Sequence, residues 1–223
     1  MSFGYDAVCF ANSGGGGGDG YPPGTVHCNG TPTEIVEVTN PTTGKTWMDR
    51  NLGASRAATS STDEEAYGDL YQWGRGADGH QCRNSNTTIT LSSTDQPGHE
   101  DFILTSSDPN DWRSPQNDNL WQGENGINNP CPSGYRIPTW GELDAERESW
   151  SSNNSAGAFD SPLKFTMAGG RDGGGINNVG DWGRYWSSTV FGAKSSFLSF
   201  WSNNGNGLSH SRFRGRSVRC IKD

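Results

Sequence analysis

Long hydrophobic runs are missing from this sequence. No stretch approaches the roughly 20 apolar residues of a membrane-spanning helix, so membrane insertion is not expected. A basic-then-apolar leader is missing too, and no signal peptide is visible. Positive charge is scarce: 17 Lys and Arg stand against 25 Asp and Glu, a net charge of −8. That balance argues against nucleic acid as a partner. Aliphatic residues are few, since only 30% of the 223 residues are hydrophobic. There is no CxxC spacing or Cys/His cluster, so zinc is not expected. Nor is there a G-x-S-x-G, an H-E-x-x-H or a phosphate loop, and no enzyme is expected.

What is present is aromatic and turn-rich. The chain holds 9 Trp, 9 Phe, 6 Tyr, 32 Gly and 11 Pro. Large aromatics must therefore carry much of the core, and the backbone must be rich in loops. The five cysteines are Cys9, Cys28, Cys82, Cys131 and Cys220, an odd number that leaves at least one thiol unpaired within the chain. Residues 1–30, with "SGGGGGDG", read as a flexible N-terminal arm, and residues 31–223 as one domain. "EIVEV", the turn "NPTTG" and "KTWMD" read as a β-hairpin. "STDEEAYG" suits a short helix start and "LYQWG" an aromatic strand. Residues 80–130 read as a long loop region pinned by Phe102, Ile103, Leu104, Trp112 and Trp121. "TWGELDAERESW" is the clearest helix, because Thr139 and Glu142 make a capping box. Glu142 and Glu146 then sit on a cap and a solvated helix face. Four strand candidates follow: "PLKFTMAGGR", "GRYWSSTV", "SFLSFW" and "GRSVRCIK".

The motifs "WMDRNLG", "YGDLYQWGR", "NPCPSGYRIPT", "AGGRDGGG", "GRYWSST" and "GRSVRCIKD" occur in this order. In them the chain resembles the Fibrobacter succinogenes major paralogous domain over about residues 34–223. That family is similar to formylglycine-generating-enzyme-like domains and to the C-type lectin fold. The resemblance implies an α+β domain of C-type lectin fold, with short, mostly antiparallel strands, one or two helices and long irregular loops. It also implies a Cys131–Cys220 disulfide. Members of the family occur as variable proteins of diversity-generating retroelements, in which mutated adenines diversify the 3′ part of the gene. Residues of about 184–220 look like such a variable region. Asn codons mutated at their two adenines reach Phe, Ser, His, Arg, Gly and Asp but not Trp.

Strand alternation opposes Leu198 and Phe200 to Phe197, Ser199 and Trp201. In "SNNGNGLSHSRFRG", read as a loop, Leu208 is the only aliphatic residue and is expected to anchor inward. The expected ligand-contacting residues are Phe191, Lys194, Ser196, Phe197, Ser199, Trp201, Asn203, Asn204, Asn206, Ser209, His210, Ser211, Phe213, Arg214 and Arg216. Aromatics and arginines serve as anchors in such a surface, and small polar residues as adaptable contacts. Arg212, Arg214, Arg216 and Arg219 also admit the plainer reading of a solvated basic face. Trp186 is expected in the core. The partner would be a protein or glycan on the outside of a virus particle or cell. An invariant glycan- or protein-binding domain of the same fold is the alternative, and an oxidase a more distant one. No cofactor is expected beyond a structural calcium ion, for which Asp95, Glu100 and Asp101 in "DQPGHED" offer oxygen atoms. A solvated acidic loop is the expectation there.

Overall fold

The structure, a computed structural model, describes residues 20–106, 108 and 110–223. It is an α+β arrangement of short strands with two α-helices among the described residues. Strands β1 (Glu37–Thr39) and β2 (Thr46–Met48) form the hairpin expected from "NPTTG". A single 3-10 turn at Glu64–Ala66 is capped by Asp63, whose carboxylate is also bonded to Arg56 at 3.0 Å. Strand β3 (Tyr71–Gln72) is the aromatic strand. Strands β4 (Thr87–Thr88) and β5 (Phe102–Ile103) pair in parallel within the long loop region. Strand β6 (Tyr135–Arg136) leads into α1 (Trp140–Glu148), and α2 (Ser155–Asp160) follows. Strands β7 (Gly170–Asp172) and β8 (Gly175–Asn177) make a hairpin. Strands β9 (Gly183–Phe191), β10 (Lys194–Trp201) and β11 (Asn204–His210) form an antiparallel meander. Strands β12 (Gly215–Arg216) and β13 (Ile221–Lys222) end the chain.

Three sheets hold these pieces, besides the β4–β5 pair: β1-β2-β13-β6, β3-β12-β7-β8 and the meander β11-β10-β9. The capping box of α1 is formed as its sequence requires. Glu146 departs from the expectation of a solvated face. It is fully buried, and its carboxylate accepts from Asn40 Nδ2 at 2.6 Å and Ser161 Oγ at 3.0 Å. With the Trp150 indole as a third donor, burial is tolerable where an unpartnered carboxylate would not be.

The core is aromatic, as composition required. Trp47, Trp73, Trp112, Trp121 and Trp186 are fully buried. Four of these indoles donate to backbone carbonyls, among them Trp73 to Ser187 and Trp186 to Tyr71, both at 2.9 Å. A tryptophan core thus carries its own polar connectors. The long region 80–130 is tied down in the same way. Gln72 donates to the carbonyls of Ile103 and Phe213 and accepts from the Ile103 N–H. Buried Arg75 donates to the carbonyls of His99 and Asp101 and pairs with Asp78 at 2.7 Å.

Residues 20–30 do not behave as an arm. Tyr21 is buried in the core, Val26 N–H donates to the Ala77 carbonyl, and Cys28 is bonded to Cys82. The arm reading therefore fails from residue 20 onward; residues 1–19, with Cys9, lie outside the described residues. Cys131 and Cys220 form the second disulfide, inside the main core cluster.

Two measurements test this frame. The Cys131–Cys220 bond spans 89 residues, so a Cys131→Ser, Cys220→Ser chain should lose about 4–5 kcal/mol by chain entropy. Denaturant midpoints read that loss, and an unchanged midpoint would refute it. The second concerns His80, which is fully buried, accepts from the Gln72 N–H at Nε2 and contacts Asp78 through Nδ1 at 2.6 Å. Burial lowers its imidazole to about 4. The unfolded chain, with an imidazole near 6.5, takes up this proton first as pH falls. Stability held by neutral His80 is complete above about pH 6.5 and is lost between there and about pH 4. Nitrogen NMR should find His80 neutral at about pH 5; titration near 6.5 would contradict the buried neutral ring.

Candidate functional site

The meander contains most of the residues expected to meet a ligand. Its middle strand β10 pairs on both sides, so cross-strand rows run Arg184–Ser199–Asn206 and Trp186–Phe197–Leu208 on one face. The rows Gly183–Phe200–Gly205 and Tyr185–Leu198–Gly207 lie on the other. The second face packs onto the helices. Leu198 and Phe200 join Trp150, Phe165 and Tyr185 in one core cluster. The glycines there have a steric reason. A Cβ on Gly207 would come within 2.3 Å of the Trp140 ring, and one on Gly183 within 2.0 Å of Phe200.

"SNNGNGLSH" is therefore an edge strand, not the loop its composition suggested. Gly205 and Gly207 turn toward the helices, while Asn204, Asn206, Leu208 and His210 turn the other way. Glycine and asparagine both disfavour strands when judged alone, and here Trp140 requires a glycine at 207 while Asn153 and Trp150 crowd position 205.

Ten of the fifteen expected residues reach solvent. Phe191, Lys194 and Asn203 are exposed; Ser196, Trp201, Asn204, Asn206, Ser209, His210 and Arg214 are half-buried. Phe191 is 67% exposed, an unusual setting for a large apolar side chain. The other five are corrections. Phe197 is buried against Trp186, with ring centroids 5.6 Å apart. Ser199 is fully buried because Arg184, Arg214 and Arg216 share its recess. Ser211 is buried where the chain leaves β11. Phe213 belongs to a third core cluster with Ile103, Trp112 and Leu120. Arg216 is buried over the rings of Phe197 and Trp186. Leu208 is corrected in the opposite sense: it is 43% exposed and anchors nothing inward.

The arginines do not form a solvated face. Arg212 is fully buried, bonded to Asp118 at 2.6 Å and stacked over Trp73 at 4.4 Å. Arg219 is buried with Asn51 Oδ1 and the Leu163 carbonyl as acceptors. Arg214 pairs with Asp172 at 2.9 Å. His210 lies among these cations, and burial, then Arg214 and Arg216, lower its imidazole to about 4.

Two recesses flank β11. One lies toward α1 and is lined by Trp140, Asp144, Arg147, Phe191, Asn206 and Ser209 among others. The other, of about 430 Å³, holds the arginines, Ser199, His210 and Trp182. Trp182 stacks on Trp201 at 4.4 Å. Trp182, Arg184 and Asp172 were not among the expected contacts, although "GDWGR" places an aromatic and a cation one strand away from Trp201. For the acidic loop, Asp95 is paired with Arg113 at 2.8 Å. Among the described residues no cluster of three His, Cys, Asp or Glu is arranged to hold a metal ion. No helix among them is long and apolar enough to cross a membrane.

No family model, curated protein or solved structure matches this chain.

The corrected burial reverses one mutational expectation. Ser199→Tyr should destabilise by roughly 1–3 kcal/mol or more, as overpacking does. Asn203→Arg should stay within about 0.5 kcal/mol, as exposed substitutions do. Chemical denaturation of both variants checks the facing of β10; a harmless Ser199→Tyr would contradict it.

Proposed function

We propose that this chain is a binding protein whose β9–β11 meander is its ligand face, on a scaffold of C-type lectin fold. The observation that carries the reading is the division of labour within 184–220. Exposed and half-buried positions hold Phe, Lys, Ser, Asn, His and Arg, while their neighbours are locked into aromatic clusters. Such a surface recognises by shape, aromatic anchoring and adaptable hydrogen bonds. It performs no chemistry of its own. An oxidase of the related kind would use paired reactive cysteines, whereas Cys220 is buried in a bond with Cys131. Two disulfides suit an oxidising setting such as a secreted, cell-surface or virion protein.

The order of motifs and the erratic composition of the meander support a variable protein of a diversity-generating retroelement. Substitutions at Phe191, Asn203, Asn204, Asn206, Ser209 and His210 change the surface without touching the clusters beneath, and one at Arg214 changes it while baring one face of Phe213. Trp201, unreachable from an Asn codon, is a template residue in this reading.

Sequencing this gene across a natural population, with its flanking DNA, tests the proposal. Copies should differ at those exposed positions, with adenine-directed changes relative to a nearby repeat. They should agree at Leu198, Phe200, Gly205, Gly207, Val218 and Cys220. Differences spread evenly over residues 34–223 would sink the retroelement reading and leave an invariant binding domain of the same fold.

A further inference from the structure

The recess on the arginine side of β11 holds more positive charge than its own side chains neutralise. Arg184, Arg214 and Arg216 line it, and Asp172 is the one carboxylate among its lining residues. That carboxylate is engaged by Arg214 at 2.9 Å. Arg184 donates to the neutral amide oxygens of Asn177 and Asn178, both at 3.0 Å. Arg216 is 3% exposed and has no hydrogen-bond or ion-pair partner among the described residues; its Nε is buried and unbonded. Beside it, Ser199 Oγ is also buried and unbonded.

This is an expensive arrangement for a protein of net charge −8. A buried guanidinium without a counter-charge suffers desolvation, and two neighbouring arginines add repulsion. Arg216 lies 3.6 Å from the Phe197 ring centroid and 4.9 Å from that of Trp186. Stacking on two rings offsets part of the cost, but cation–π attraction is smaller than the loss of water around a charge. An anion in the recess would offset the remainder. A carboxylate fits best, because its two oxygens match the guanidinium fork. Neutral donors are also at hand. The Ser211 N–H donates to His210 Nδ1 at 2.8 Å, which leaves the ring hydrogen on Nε2, and Ser199 supplies a hydroxyl.

Resting on the binding face proposed above, we infer that this recess receives the carboxylate of an Asp or Glu side chain from a protein ligand. A protein is favoured over an acidic sugar by the aromatic rings. Trp182 is covered by Trp201 at 4.4 Å and by Arg184 at 5.1 Å, and Phe197 by Arg216. The ring faces so covered offer a sugar no platform to stack on. Exposed Leu208, on its rim, instead supplies an apolar contact of the kind that surrounds a buried charge in protein interfaces.

The test uses the full chain and N-acetylglutamate α-methylamide, whose only charge is the side-chain carboxylate, as probe, followed by NMR of arginine and histidine side chains. Saturable shifts are expected at Arg184, Arg216 and His210, with N-acetylglutamine α-methylamide binding at least about tenfold more weakly because it carries no charge. The bound anion should raise the His210 imidazole by about one unit, from its value of about 4. The groups facing that ring are Arg184 from β9, Lys194 from β10 and Arg214 and Arg216 from the segment around β12; Asp172 of β7 lines the same recess. Arg184→Gln should weaken the probe roughly tenfold and Ser199→Ala about threefold, whereas Lys45→Gln leaves it unchanged. Both substitutions spare Arg216, whose removal strips the stack over Phe197. Equal binding of the acid and the amide would overturn the anion site. Tighter binding of glucuronate than of N-acetylglutamate α-methylamide would overturn the protein assignment in favour of an acidic glycan. The population sequencing described above reads the binding face independently. An even spread of variation with intact probe binding removes the retroelement reading alone, and the converse result removes this inference alone.

Discussion

Strand β10 is buried on both sides, and the rest of the C-terminal half is arranged around that constraint. Leu198 and Phe200 fill the cluster beneath the helices, while Phe197 fills the cluster that contains Cys131 and Cys220. A strand shared by two cores cannot slip by one residue, because the slip would exchange two differently shaped sets of side chains. The chain's last segment then fastens the strand's neighbour. Tyr185 bridges to Ser217, and the Trp186 N–H donates to the Ser217 carbonyl at 3.1 Å. What is left open to solvent is the β9–β10 turn, much of the edge strand β11 and the rim of the arginine recess.

Aromatic rings and guanidinium groups do the packing that aliphatic residues do elsewhere. Arg212 lies over Trp73, Arg219 over Phe165, and Arg216 over Phe197 and Trp186. Each guanidinium extends the flat surface of a ring while its edge seeks acceptors. Arg212 finds carboxylates and Arg219 finds an amide oxygen and carbonyls. Arg216 faces a recess instead, and that difference separates two structural arginines from one suited to binding. The same economy explains how a sequence with mean hydropathy of −0.80 folds at all. Many of its polar side chains, Asn51, Gln72, Arg75 and Glu146 among them, are buried and bonded within the interior.

Much of the scaffold was legible in the sequence, for local reasons. The T-x-x-E pattern specified the start of α1, the "NPTTG" turn specified the first hairpin, and alternation in "FLSFW" correctly opposed Phe197 and Ser199 to Leu198 and Phe200. Alternation says which residues share a face, but not whether that face is covered. Ser199 is buried between Arg184 and Asn206, in a recess that Arg214 and Arg216 also line, and nothing within "FLSFW" signals that. Strand β11 was hidden for a different reason. Its Gly207 is required by contact with Trp140, more than sixty positions away, and its Gly205 by Asn153 and Trp150, so a local reading finds only a turn-rich segment. Residues 20–30 were misjudged because Tyr21 and Cys28 were outweighed by the glycine run before them. The α+β character depended on element types alone and was within reach; the arginine recess depended on long-range convergence and was not.

The central claim is that recognition and packing are divided residue by residue within the meander. Saturation mutagenesis of residues 184–220, read by protease resistance of the full chain, measures that division directly. Broad tolerance should appear at Phe191, Lys194, Asn203 and Ser209. Intolerance should appear at Phe197, Leu198, Ser199, Phe200, Gly205 and Gly207, on both faces of β10 and at the helix-facing glycines of β11. Tolerance that alternates strictly along β10, sparing only Leu198 and Phe200, would contradict the two-sided burial on which this account rests.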